Sequence, residues 1–105
     1  MTKHFSQGMS RHGTPALIDA GYERGLHAAY LTVTDQATGR VLYDDNLSWP
    51  ISQMRPADVD TVLARDFGLR LPDEMRAARA ADYASGAAPY LRHWPDAEAA
   101  ATITA

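Results

Sequence analysis

The stretch His27–Asn46, HAAYLTVTDQATGRVLYDDN, decides the fold. Ala29, Leu31 and Val33 alternate with Tyr30, Thr32 and Thr34. Such alternation sends successive side chains to opposite faces of a strand, and Tyr, Val and Thr suit a pleated, half-buried surface. Asp35–Gly39 predicts the turn: Gly39 can take the positive φ of a type I turn with a bulge, and Asp35 can bond the turn's own backbone. The second arm is Arg40–Asp44, with Val41 and Tyr43 on one face and Leu42 on the other. Strands are expected over 28–34 and 40–45, with helices or a partner covering part of the sheet's second side.

Upstream, PALIDAGY (residues 15–22) reads as a first strand, although Gly21 weakens it. A run this short also fits one helical turn. Between it and the hairpin lies Tyr22-Glu23-Arg24-Gly25. Gly and polar residues between apolar runs make a turn. The same segment is a candidate contact surface, because Arg24 offers a planar five-donor fork beside the aromatic face of Tyr22. Residues 1–13 are polar and aperiodic, and are expected to be a mobile leader that orders only on a partner.

Downstream, Pro56 suits the first position of a helix, and Asp58 and Asp60 sit well at its positive end. Val59, Val62, Leu63 and Phe67 recur at helical spacing, and Gly68 is the expected stop. Pro72-Asp73-Glu74 opens a second helix that ends at Gly86, with an alanine-rich face expected to pack closely on a neighbour. The expected fold is α+β: a small antiparallel three-stranded sheet followed by a helical hairpin packed on one face (β-β-β-α-α), with flexible termini. Residues 1–105 make a single domain, with a leader over 1–13, a folded core over 14–94 and a flexible tail over 95–105.

The segment Asp19–Val33, together with LPDEMRAARAADYA, resembles a loose group of small uncharacterised bacterial proteins associated with plasmids and genomic islands. Tyr22-Glu23-Arg24-Gly25-Leu26 fits their aromatic–acid–Arg–Pro/Gly–Leu turn, and Leu71-Pro72-Asp73 their Leu-Pro-acid helix start. The resemblance implies the strand–strand–helix plan and an accessory role on a mobile element. It implies no activity.

Composition and motifs narrow the chemistry. The chain is 46% hydrophobic and 22% charged, which fits a packed core and not a disordered segment. A formal charge of -3 and a pI near 5.7 give no global signature of nucleic-acid binding. With no cysteine, disulfides, thiolate nucleophiles and thiolate zinc sites are excluded. Lys3 is the only lysine against nine arginines, a skew typical of GC-rich bacterial coding. No apolar h-region marks a signal peptide, no apolar run is long enough to span a membrane, and the expected location is the cytoplasm.

His4, His12, His27 and His93 lack the spacing of a zinc site, and no metal or cofactor is expected. Asp44-Asp45 reads as a polar strand end, and Asp58, Asp60 and Asp66 are paired with no nucleophile. Ser48 in NLSWP has no nucleophile elbow, and GYERG is not a phosphate loop. No catalytic residue is assigned. A small enzyme of unknown reaction is the third reading.

The second reading is a DNA-binding regulator through a helix-turn-helix-like segment over 57–85. Ala64 and Gly68 have the turn spacing, and Arg70, Arg76 and Arg79 can meet phosphates. Against it, Glu74 falls where an apolar residue belongs, and Asp73 and Glu74 set negative charge at the approaching end. The first reading is a non-enzymatic protein-interaction protein. Its candidate contacts are Tyr22, Glu23, Arg24, Trp49, Arg55, Tyr90, Arg92 and Trp94, since Trp, Tyr and Arg are the usual anchors of interfaces. The partner is a protein or a second copy joined through a sheet edge.

Overall fold

The computed structural model describes residues 1–45 and 54–100. Trp49 therefore lies outside the described residues. In chain order the elements are β1 (Thr2–Met9), β2 (Pro15–Glu23), β3 (Ala28–Asp35) and β4 (Val41–Asp44). Next come α1 (Pro56–Val62), which runs on into one π-helical turn at Leu63–Phe67, then β5 (Leu69–Arg70) and α2 (Asp73–Ser85). β6 (Leu91–His93) and β7 (Glu98–Ala99) close the described chain.

The class is α+β. The main sheet has five strands in the order β4-β3-β2-β1-β6, and β5 pairs with β7 in a separate two-stranded ribbon. β1 to β4 form an antiparallel meander, whereas β6 lies parallel to β1. The three-stranded expectation is therefore corrected to a mixed five-stranded sheet. The expected helical hairpin is also modified, because β5 stands between the two helices.

The hairpin forms around Gly39, whose φ of +75° is the left-handed value that glycine accepts without a Cβ clash. Gly39 N–H donates to Asp35 O at 2.7 Å, and the Asp35 carboxylate accepts from Ala37 N–H at 2.8 Å. Gly21 is required for another reason. A Cβ there would lie 2.1 Å from Thr2 O and 2.8 Å from the Tyr30 ring, so the tyrosine crosses the strand where a side chain would stand.

Ala16, Ile18 and Ala20 of β2 and Ala29, Leu31 and Val33 of β3 face one side. Val59, Val62, Leu63, Phe67 and Met75 cover them from the helical side. Both helices thus lie on one face. Asp58 caps α1 by accepting from Arg55 N–H at 2.8 Å, and both helices end on the expected glycines, Gly68 and Gly86. The alanines of α2 do not form its packed face. The buried stripe is Met75, Arg79 and Asp82, and Ala77, Ala80, Ala81 and Ala84 face solvent. Here alanine serves helix propensity, not packing.

The leader expected over 1–13 is instead strand β1. Thr2, His4 and Ser6 point into the protein at 0%, 0% and 2% exposure. A polar face can be buried when each of its polar atoms finds a partner, and these do. Thr2 Oγ1 accepts from Tyr22 N–H at 3.0 Å, and Ser6 Oγ donates to Pro95 O at 2.8 Å. The expected tail is likewise paired as far as residue 100. Ala97 N–H donates to Gln7 O and Ala100 N–H to Gly68 O, at 2.8 and 2.9 Å, and just before the tail Lys3 N–H donates to Tyr90 O and Trp94 N–H to Phe5 O, at 2.8 and 2.9 Å. The expected tail meets the expected leader at Ser6–Pro95 and Gln7–Ala97, while β1 itself pairs with β2 and β6.

Candidate functional site

Of the contact residues expected from sequence, the structure gathers Tyr90, Arg92 and Trp94 on and beside β6, and it organises them around His4. Trp94 Nε1–H donates to His4 Nδ1 at 2.8 Å. An indole N–H can only donate, so Nδ1 is the acceptor and the imidazole proton sits on Nε2. That proton is donated to Asp82 Oδ2 at 2.7 Å. The Tyr90 hydroxyl lies 2.8 and 2.7 Å from the two oxygens of the same carboxylate. Desolvation of the hydroxyl, and then its bond to Asp82, push the Tyr90 pKa up to about 12. Arg92 stacks its guanidinium 3.7 Å from the centroid of the Trp94 ring, on the solvent side of the network.

This set resembles a proton-transfer array but is not arranged to act as one. His4 is fully buried, and both its nitrogens are committed. Taking up a proton at Nδ1 would break the bond to Trp94. The arrangement is a clasp. It ties β1 to α2 through Asp82 and to the β6 segment through Tyr90 and Trp94.

The other expected contacts are placed differently. Tyr22 is buried at 2% exposure and cannot offer its face beside Arg24. Its hydroxyl lies 2.8 Å from His27 Nδ1, and His27 stacks on Tyr83 at 4.6 Å between centroids. Residues 24–27 form the turn between β2 and β3, where Glu23 accepts from Gly25 N–H at 3.3 Å and Arg24 is exposed. His27 holds a φ of +47°, a conformation few side chains adopt, and its two tyrosine contacts hold it there. Arg55 is exposed at the start of α1.

The sheet's second face carries the feature that sequence reasoning missed. Phe5 and His93 stack at 5.2 Å with an interplanar angle of 21°. They line a cleft of about 210 Å³ with Gln7, Leu17 and Trp94. Leu91 and Met9, both more than half exposed, stand on the flanking strands. Further along, the Tyr30 hydroxyl lies 2.7 Å from Asp19 Oδ1, and burial raises the pKa of both groups. Among the described residues both helices, α1 and α2, lie on the opposite face. In TKHFSQGM the outward Lys3, Phe5 and Gln7 alternate with buried Thr2, His4 and Ser6, and because that buried face is polar the alternation is not visible in the sequence.

Of the three arginines of the DNA reading, one is buried and two share a carboxylate. Arg79 is buried at 2% exposure, and Arg70 and Arg76 both donate to Asp73 Oδ1. Among the described residues no group of three or more His, Asp or Glu side chains is placed to hold a metal ion, and no helix is long and apolar enough to cross a membrane. No protein-family model, curated protein or solved structure matches the chain.

Proposed function

We propose that the protein is a non-enzymatic binding module, and that its contact surface is the open sheet face beside β6. The Phe5–His93 cleft carries this reading: a stacked aromatic pair with an apolar floor at Leu17, beside the outermost strand of the sheet. An extended segment of a partner protein can pair along such an edge and set side chains into such a cleft. Arg92 and Trp94 supply a cation and an aromatic at the rim, the residue types that anchor interfaces. A cytoplasmic accessory role, with the mobile-element association of the sequence motifs, belongs to the same proposal.

Against the enzymatic alternative, His4 is buried with both nitrogens engaged, and against the DNA-binding alternative, Arg79 is buried on Asp60 while Arg70 and Arg76 share Asp73. Affinity capture from native cell extract, with and without nuclease, tests the reading. The expected result is a stoichiometric, nuclease-resistant partner that is lost from a Phe5→Ala/His93→Ala variant with an unchanged melting temperature. Nuclease-sensitive capture, or capture that survives the double substitution, overturns it. If the partner is a second copy, sedimentation will show a dimer that the same variant dissociates.

A further inference from the structure

Between α1, β5 and α2 lies a second cleft, of about 300 Å³, on elements that take no part in the contact surface proposed above. Asp60, Arg70 and Arg76 supply its polar wall, and Leu69, Leu71 and Ala100 much of the rest. This is the lower end of the size range of small-molecule sites, and an apolar lining with a few convergent polar groups is their usual make-up.

The guanidinium groups here are short of acceptors. Arg70 and Arg76 share one oxygen of a single carboxylate, Asp73. They hold its pKa below the usual carboxylate range, Arg76 contributing more. Behind the wall, Arg79 donates from Nη2 to Asp60 Oδ1 at 2.5 Å, so the one acid lining the cleft is already matched by a cation. The Nε of Arg76 and the Nε and Nη1 of Arg79 are buried and have no hydrogen-bond partner among the described residues. Positions 76 and 79 are neighbours on one helical face. Buried donors without acceptors are few in native proteins and call for an explanation. Arg76 lines the cleft together with Arg70, so an acceptor bound there is within reach of both guanidinium groups, whereas Arg79 stands behind the wall. Among the described residues, three guanidiniums (Arg70, Arg76, Arg79) stand against two carboxylates (Asp60, Asp73) and leave one positive charge at the cleft. Glu98, on the adjoining groove, is exposed and screened by solvent.

We infer that the cleft between α1, β5 and α2 binds a small oxyanion carrying a short apolar body, with Arg76 and Arg70 as its direct ligands and Arg79 as the residue that neutralises Asp60. The anion takes the outer guanidinium donors, and Leu69 and Leu71 take the apolar part. Bidentate guanidinium geometry suits a carboxylate or a phosphate equally, so the probes must separate the two.

The experiment is titration of the full chain, followed by the arginine Nε–H resonances in NMR spectra, with phenyl phosphate, benzoate and inorganic phosphate as separate probes. The expected result is saturable shifts at Arg76 and Arg70, stronger for a probe with an aromatic body than for inorganic phosphate. Arg76→Lys keeps the charge but loses the fork, and should weaken binding by about ten-fold or more, as the loss of a charge-assisted hydrogen bond does. Arg70→Ala, at an exposed position, should weaken it with an unchanged melting temperature. No saturable shift from any probe, or equal binding by the wild type and Arg76→Lys, overturns the inference. Equal response to all three probes overturns the part assigned to the apolar wall.

Discussion

The β3–β4 hairpin and the β1–β6 pair are both edges of one sheet, built on opposite principles. The hairpin joins neighbours in sequence through a turn whose residues are fixed by backbone geometry, and its inward face is apolar. The β1–β6 pair joins the two ends of the described chain, and its inward face is Thr2, His4 and Ser6. The hairpin is held by burial of Leu31 and Val33, a non-directional force that tolerates exchange of shape. The terminal pair is held by a buried network in which each partner is required, because an abandoned polar atom costs more than a formed bond contributes. The same sheet therefore has a forgiving edge and an exacting one, and the proposed contact surface is on the exacting one.

Removing the acceptor at the centre of the clasp should have the largest effect. Asp82→Ala leaves His4 Nε2–H and the Tyr90 hydroxyl without their acceptor, and should cost about 3 kcal/mol or more in urea unfolding. A loss below 1 kcal/mol would remove the distinction between the two edges. On the other edge, Gly39→Val puts a β-branched residue at positive φ and should cost about 1 kcal/mol, read by the same method.

Asp19 gives a smaller effect of opposite sign. Burial raises its folded pKa above the unfolded value. The protonated carboxyl is therefore the form the fold prefers, and that stabilisation is complete below the ordinary carboxylate pKa and lost as pH rises through the raised one. At neutral pH the native carboxylate carries a desolvation penalty. Asp19→Asn should keep an acceptor for Tyr30, hold or raise stability at neutral pH, and flatten the fall in stability between those two pKa values. A lower stability at neutral pH contradicts this. The smallest effects are expected in the β2–β3 turn, where Glu23→Ala and Arg24→Ala should each change stability by about 0.5 kcal/mol or less.

The contrast also explains what the sequence revealed. Alternating apolar residues, Gly39 at the turn, Pro56 at a helix start and Gly68 and Gly86 at helix ends are local signals, and each marks its element. β1 had no such signal. Its buried face is polar, and the groups that satisfy it, Asp82, Trp94 and Pro95, lie 78 to 90 residues away. Tyr90, Arg92 and Trp94 stood out by residue type, but the histidine that organises them lay in a segment read as a leader. The alanines of α2 looked like a packing face because small residues permit close approach, whereas the buried positions are Met75, Arg79 and Asp82. Two of those three carry charge, and sequence periodicity scores them as surface. Asp82 is fully partnered and builds the fold. Among the described residues Arg79 keeps two donors without acceptors, behind the cleft proposed to bind an oxyanion.

The central claim is that the His4 network is a clasp and not a proton-transfer site. Long-range ¹⁵N–¹H correlation of the His4 imidazole near neutral pH tests it most directly. The account predicts a single neutral tautomer with its proton on Nε2 and an acceptor Nδ1, together with slow exchange of the Trp94 indole N–H. A proton on Nδ1, or an indole N–H that exchanges as fast as one exposed to solvent, would contradict it.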